Sequence, residues 1–226
     1  MSPRVSIVTL GCKVNSYDTA TIGDRLRQAG CTMVAAGVPA DVVIVNSCTV
    51  TDAADAESRR LAWRARRENP AARVIVTGCF AQTQPERAAR AEAVDYVIGL
   101  DRLDAIVEAV TTPAPALARI VVGQSRRAEA VRTFGARTFP GQTRAFLKVQ
   151  EGCDLFCTFC IVPMARGKSR SLPPREVLRE MEGLATQGFQ EVVLTGVHLG
   201  GYGEDLAPAV DVVWLLEALL EQNLFP

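Results

Sequence analysis

Three cysteines fall within eight positions of the stretch GCDLFCTFC, at Cys153, Cys157 and Cys160. With three and then two residues between them, their sulfurs can converge on one metal centre from a single loop. A structural zinc site takes four protein ligands, so zinc would need one more from elsewhere. An iron–sulfur cluster is also usually held by four cysteines, and a cluster held by three leaves one iron open to a substrate or cofactor. The open position separates a catalyst from an electron carrier.

A second set is dispersed along the chain. The strand-like runs SIVTLGC, DVVIVNSC and RVIVTGC each end on a cysteine, at Cys12, Cys48 and Cys79. In a parallel sheet the loops leaving the carboxyl ends of the strands gather on one edge, where open α/β sheets place their ligands. The three cysteines are therefore expected to meet. Gly11 and Gly78 let the backbone turn tightly off two of these strands. Cys31 follows a helix and precedes a strand, which puts it at the opposite edge as a small buried hydrophobe. Seven cysteines, an odd number, fit full disulfide pairing poorly and favour metal or thiol chemistry in a reducing compartment.

These sites need elements to position them. β-Branched runs alternate with helical stretches at Ser16–Ala29, Asp52–Glu68 and Asp101–Val110, the pattern of an α/β sandwich around a parallel sheet. A second such rhythm starts at AFLKVQ, with a helix over Pro174–Gln187, the strand EVVLTG and a helix over Val212–Gln222. The expected organisation is an N-terminal α/β domain over 1–112, a linker or crossover over 113–143 rich in Pro, Ala, Gly and Arg, and a second α/β domain over 144–226. No run is apolar for the length of a membrane span and no signal-like segment opens the chain, so the cytoplasm is the expected compartment. The net charge of zero neither excludes a nucleic-acid partner nor argues for one.

The loop C-x-x-x-C-x-x-C, with Phe159 before its last cysteine, resembles the signature of radical S-adenosylmethionine enzymes. The surrounding RAFLKVQEGCDLFCTFCIVPMARGKSRS, together with cysteines placed as Cys12, Cys48 and Cys79 are, resembles the methylthiotransferase branch. The resemblance implies two [4Fe–4S] clusters, one on each set. The cluster on Cys153, Cys157 and Cys160 would bind S-adenosylmethionine at its open iron, and the other would supply sulfur. It also implies a tRNA partner, a one-electron reductant such as flavodoxin or ferredoxin, and an N-terminal α/β sandwich followed by a partial barrel. TLGCKVN is similar to the enzymes acting on threonylcarbamoyladenosine. The isopentenyladenosine and ribosomal-protein branches read Gly-Cys-Gln-Met-Asn and Gly-Cys-Pro-Lys-Asn there, so Lys13 and Val14 carry the substrate expectation. The family's barrel has about six strand–helix units and a β-rich RNA-binding domain follows it. This chain shows two units, so a fragment or truncated frame is expected.

Other residues have a role in view. Gly196 and His198, in TGVHLGGYG at a strand end, are expected near the S-adenosylmethionine. Arg166, Lys168 and Arg170 follow the cysteine loop directly and are expected to meet the cofactor carboxylate or RNA phosphates. The helical stripe Arg60, Arg64 and Arg67 has no aromatic platform beside it and is expected to be a solvated face. Two rival readings are a noncatalytic iron–sulfur or zinc protein and a noncatalytic RNA-binding module.

Overall fold

The computed structural model describes residues 2–90, 93–112, 117–125, 131 and 135–225. In the first half, β1 (Arg4–Thr9), β2 (Thr32–Val34), β3 (Val42–Ser47), β4 (Arg73–Gly78), β5 (Tyr96–Ile98) and β6 (Arg119–Val121) make one sheet in the order β2-β1-β3-β4-β5-β6. Every pairing is parallel. Helices α1 (Lys13–Gln28), α2 (Asp52–Glu68), α3 (Cys79–Thr83), α4 (Pro85–Ala89) and α5 (Ala105–Thr111) cover it. The central strands are apolar at consecutive positions because each face has its own core. Val42, Ile44 and Ile75 join Ile22 and Leu26 of α1 and Ile106 of α5 on one side. Val43, Val45, Val74 and Val76 meet Ala62 and Ala65 of α2 and Phe80 of α3 on the other.

The ends of α2 show why it forms where the sequence placed it. Thr51 caps it by accepting from the Ala54 N–H at 3.1 Å. Asp52 and Asp55 sit in its first turn, with Arg66 and Arg67 in its last, signs that match the helix dipole.

The second half is built from β7 (Ala145–Lys148), β8 (Gln150–Glu151), α6 (Val162–Arg166), β9 (Arg170–Ser171), α7 (Pro174–Thr186), β10 (Val192–Thr195) and α8 (Val212–Leu220). β10 pairs with β7 in parallel, giving two strand–helix units, β7–α7 and β10–α8. β8 pairs antiparallel with β9, so residues 152–169 form an excursion whose two ends are clamped together. Leu147, Leu184 and Leu215 anchor the core here, each contributing about 1.5–3 kcal/mol by burial. Tyr17 and Ala20 of α1 belong to that same core. α1 thus serves both halves.

Part of the stretch expected to link the halves is structured. β6 is the sixth strand of the parallel sheet, pairing with β5, and Phe139 packs in the second core. Asp24 of α1 accepts from the backbone N–H groups of Arg137 and Thr138 at 2.6 and 3.1 Å. The sheet therefore extends past residue 112, because Arg119–Val121 satisfies its backbone on the edge of β5. Residues 113–116, 126–130 and 132–134 of the expected linker lie outside the described residues. α3, α4 and α6 have five residues each, too few to show a helical period.

Candidate metal centres

The parallel sheet brings Cys12, Cys48 and Cys79 to its carboxyl edge, since they lie just beyond β1, β3 and β4. Asn15 ties two of these loops, donating to Leu10 O at 2.7 Å and Ser47 O at 3.0 Å. A Cβ placed on Gly11 would stand 3.2 Å from Cys48 Sγ. Cys12 is exposed while Cys48 and Cys79 are buried, and all are free thiols. Burial pushes the Cys79 thiol up, and Asp18 and Cys48 push the same way, against the pull of Arg166. Cys31 is in the core with Val5 and Leu26, away from this edge.

Gly78 has φ +93°, and a Cβ there would collide with the Ser47 carbonyl oxygen and lie 2.6 Å from Ser47 N. Gly78→Ala is expected to cost about 1–3 kcal/mol of stability, read as a lower denaturant midpoint, because it pries the Cys48 and Cys79 loops apart.

Cys153, Cys157 and Cys160 lie on the excursion between β8 and β9. The Cys153 N–H donates to Gly167 O at 3.1 Å and that of Cys160 to Cys157 O at 2.9 Å. Cys153 is buried, Cys157 exposed and Cys160 between them. α6 begins two residues after Cys160 and packs against α3, which begins at Cys79. Cys79 and Ala165 share a small apolar cluster with Leu100. Cys79 of the first set therefore lies on a helix packed against the one that follows the second set.

Among the described residues no group of three His, Cys, Asp or Glu side chains closes around a single ion. An iron–sulfur cluster seats each thiolate on its own iron, so its ligands stand further apart than those of one tetrahedral ion. Two sets of three soft thiols, one on neighbouring strand-end loops and one on a single excursion, are donor sets of the type that such clusters take.

Between the sets lies a buried ionic network. Lys148 Nζ contacts Asp18 Oδ1 at 2.8 Å and Glu151 Oε2 at 3.2 Å. Arg166 reaches Asp18 Oδ2 at 2.9 Å and Glu151 Oε1 at 2.7 Å, and donates to Asn15 Oδ1 at 2.7 Å. Burial would raise the Asp18 pKa, but Lys148 and Arg166 outweigh it and hold this carboxyl below its ordinary value. Arg166 was expected beside the cofactor carboxylate or RNA phosphates. Only 3% exposed, it turns instead to the interface between the halves, because Asp18 and Glu151 lie inward of its helix.

Arg170 is also buried, donating to Arg166 O at 2.9 Å, whereas Lys168 is exposed. Phe159 is 90% exposed at the rim of the second set. Gly196 and His198 follow β10. Gln150, which the sequence reading did not single out, joins them to the cysteine loop. Its Oε1 accepts from the backbone N–H groups of Val197 and His198 at 2.9 and 2.8 Å, and its Nε2 donates to Gly152 O at 2.8 Å. The only signal for it was a polar residue in the apolar run AFLKVQ. On α2, Arg60 and Arg64 pair with Glu57 and Glu68. An aromatic platform does exist there: Trp63 is exposed, and Arg67 stacks 4.8 Å from its ring centre.

A parallel α/β half is thus joined to a half that carries a three-cysteine excursion from a strand end. Residues 147–220 match the radical SAM superfamily and residues 4–99 the Uncharacterized protein family UPF0004. The superfamily match implies a [4Fe–4S] cluster and S-adenosylmethionine. The chain is 40% identical over 203 residues to "Threonylcarbamoyladenosine tRNA methylthiotransferase MtaB" of Aquifex aeolicus, covering 89% of this chain and 50% of that protein. It is 41% identical to the protein of the same name in Bacillus subtilis, covering 89% and 45%. To "Ribosomal protein uS12 methylthiotransferase RimO" of Chloroflexus aurantiacus it is 35% identical, covering 96% and 51%. Over most of its length the chain is similar to methylthiotransferases, and its second half matches the radical SAM superfamily. It spans about half the length of the curated relatives it matches. A solved radical S-adenosylmethionine methyltransferase, TsrM from Kitasatospora setae, shares the fold with a TM-score of 0.54 at 18% identity, over 98% of this chain and 51% of that one. Among the described residues no helix is long and apolar enough to cross a membrane.

Proposed function

We propose that this chain carries the catalytic core of a cytoplasmic methylthiotransferase that acts on threonylcarbamoyladenosine in tRNA. In this reading it holds two [4Fe–4S] clusters, on Cys12, Cys48 and Cys79 and on Cys153, Cys157 and Cys160. S-adenosylmethionine is the second cofactor, with flavodoxin or ferredoxin as reductant. The observation that carries the reading is the packing of α3 on α6, which sets Cys79 of the first set against the helix that follows the second set, as a reaction drawing on both requires. When bound, the cluster on Cys153, Cys157 and Cys160 supplies one-electron reductive cleavage of S-adenosylmethionine. Phe159, Gly196 and His198 line the approach to it. Gln150 holds the backbone of residues 197–198 in register with the cysteine loop, so any cofactor seated there meets a fixed wall.

The relatives' names and the residues beside Cys12 support the substrate. Lys13 is exposed, while Val14 is 2% exposed and packs inward. An exposed ammonium beside the first set suits a nucleoside bearing a carboxylate rather than a prenyl group. An exposed ammonium attracts the carboxylate-bearing nucleoside and offers a prenyl group nothing to pair with. Deleting the gene is expected to abolish the methylthio form of threonylcarbamoyladenosine in tRNA hydrolysates read by mass spectrometry, and leave methylthio-isopentenyladenosine in place. The reverse pattern would assign the sibling branch.

A further inference from the structure

Arg166 joins the elements that carry the two thiol sets. It ends α6, six residues beyond Cys160, and pairs with a carboxylate from each half of the molecule. Its Nη2 donates to Asn15 Oδ1 at 2.7 Å, the oxygen to which Cys12 Sγ also points at 3.8 Å. The residue before it, Ala165, packs with Cys79. Two carboxylates hold it in place, Asp18 at 2.9 Å and Glu151 at 2.7 Å. Each of these is shared with Lys148, and Glu151 also lies 3.7 Å from Arg170.

From this geometry we infer that Arg166 is a positioning residue for the Cys12, Cys48 and Cys79 centre, a fixed buried cation that the second half presents to the first. The inference rests on the proposed cluster at those cysteines. A guanidinium cannot lose its charge in a protein, and through the Asn15 oxygen that it shares with Cys12 the part of its field not offset by Asp18 and Glu151 acts on the first set.

Two consequences follow from the chemistry. A positive charge beside an iron–sulfur centre favours its reduced, more negative state, since local charge and hydrogen bonds to the sulfurs set cluster potentials. And because the cation comes from the helix next to Cys160, the first centre reaches its full potential only when the two halves are docked. Arg166 then ties the electronics of one centre to the seating of the other.

The test uses the full chain with Cys153, Cys157 and Cys160 changed to Ala, reconstituted anaerobically with iron and sulfide, so that only the first centre is read. Redox titration followed by electron paramagnetic resonance gives its midpoint. Arg166→Gln is expected to move the midpoint to more negative potential, and Arg166→Lys to restore most of the shift. A midpoint unmoved by Arg166→Gln in a protein with parental circular dichroism overturns the inference and leaves Arg166 a packing residue. If Arg166→Gln does not fold, Lys148→Met takes its place: it removes a buried charge of the same sign without touching the cysteine pocket. Its midpoint should also fall, and an unmoved value again overturns the inference. Failure of the proposed function would look different, because the parent chain would then bind no iron at Cys12, Cys48 and Cys79.

Discussion

Replacing Cys153, Cys157 and Cys160 together by alanine is expected to halve the iron and acid-labile sulfide of anaerobically reconstituted protein, and replacing Cys12, Cys48 and Cys79 to remove the other half. The two sets hang on different elements: one on the carboxyl edge of the six-stranded sheet, the other on the excursion between β8 and β9. Neither loop depends on the other set for its backbone hydrogen bonds. The first is held by Asn15 and by β3–β4 pairing, the second by β8–β9 pairing and the Cys153 N–H to Gly167 O bond. Each triple variant should therefore keep the far-ultraviolet circular dichroism of the parent while losing one centre. The parent's S-adenosylmethionine cleavage should vanish only in the Cys153, Cys157 and Cys160 variant. Loss of all iron from either variant, or purification of the parent with stoichiometric zinc, would refute two independent clusters.

What could be read from the chain before its structure divides along the range of the interactions. The first cysteine set was legible because a strand followed by a tight turn is a local pattern, and parallel pairing then fixes which edge the turns share. The bounds expected for α2 agree with those observed, since Thr51, Asp52, Arg66 and Arg67 are local end signals. α1 starts three residues earlier than expected, because the chain turns into helix directly after Cys12. β6 was hidden: RIV is three residues long and pairs only because β5 offers an edge. The ionic network was hidden for a different reason. Lys148 lies in an apolar strand and drew no expectation, and Arg166, in a basic loop beside the cysteines, was expected to meet the cofactor carboxylate or RNA phosphates. Their partner Asp18 is 130 and 148 positions away. No periodicity reports such a distance, and only docking the second half on α1 creates the pocket where these charges are matched. Trp63 was passed over similarly, since its contact with Arg67 depends on which helix face is left open.

Asp18→Asn is expected to be the most damaging single change to the joint between the halves, lowering stability at pH 7 by about 3–5 kcal/mol, the cost of breaking a buried ion pair from one side. Asp18 is 2% exposed and faces both Lys148 and Arg166. An amide can still accept from Lys148, but it turns an NH2 group toward Arg166 and leaves two buried cations to share Glu151. The sign with pH follows from the folded carboxyl lying below its ordinary value of 3.8. A depressed carboxylate pKa contributes stability that is fully present above the unfolded value and is lost as pH falls through the folded one. The parent should therefore keep this contribution across the neutral range and down through mildly acidic pH, and shed it only below 3.8. The variant lacks it throughout. Urea unfolding of both proteins at a series of pH values should show a gap that is constant from neutral pH to about pH 5 and narrows as the parent protonates in stronger acid. A gap that instead closes between pH 5 and 7 would mean that Asp18 is not held as a carboxylate by Lys148 and Arg166. A variant as stable as the parent at pH 7 would mean that the network contributes nothing to docking, and that the apolar contacts of Tyr17 and Ala20 and the packing of α3 on α6 join the halves without it.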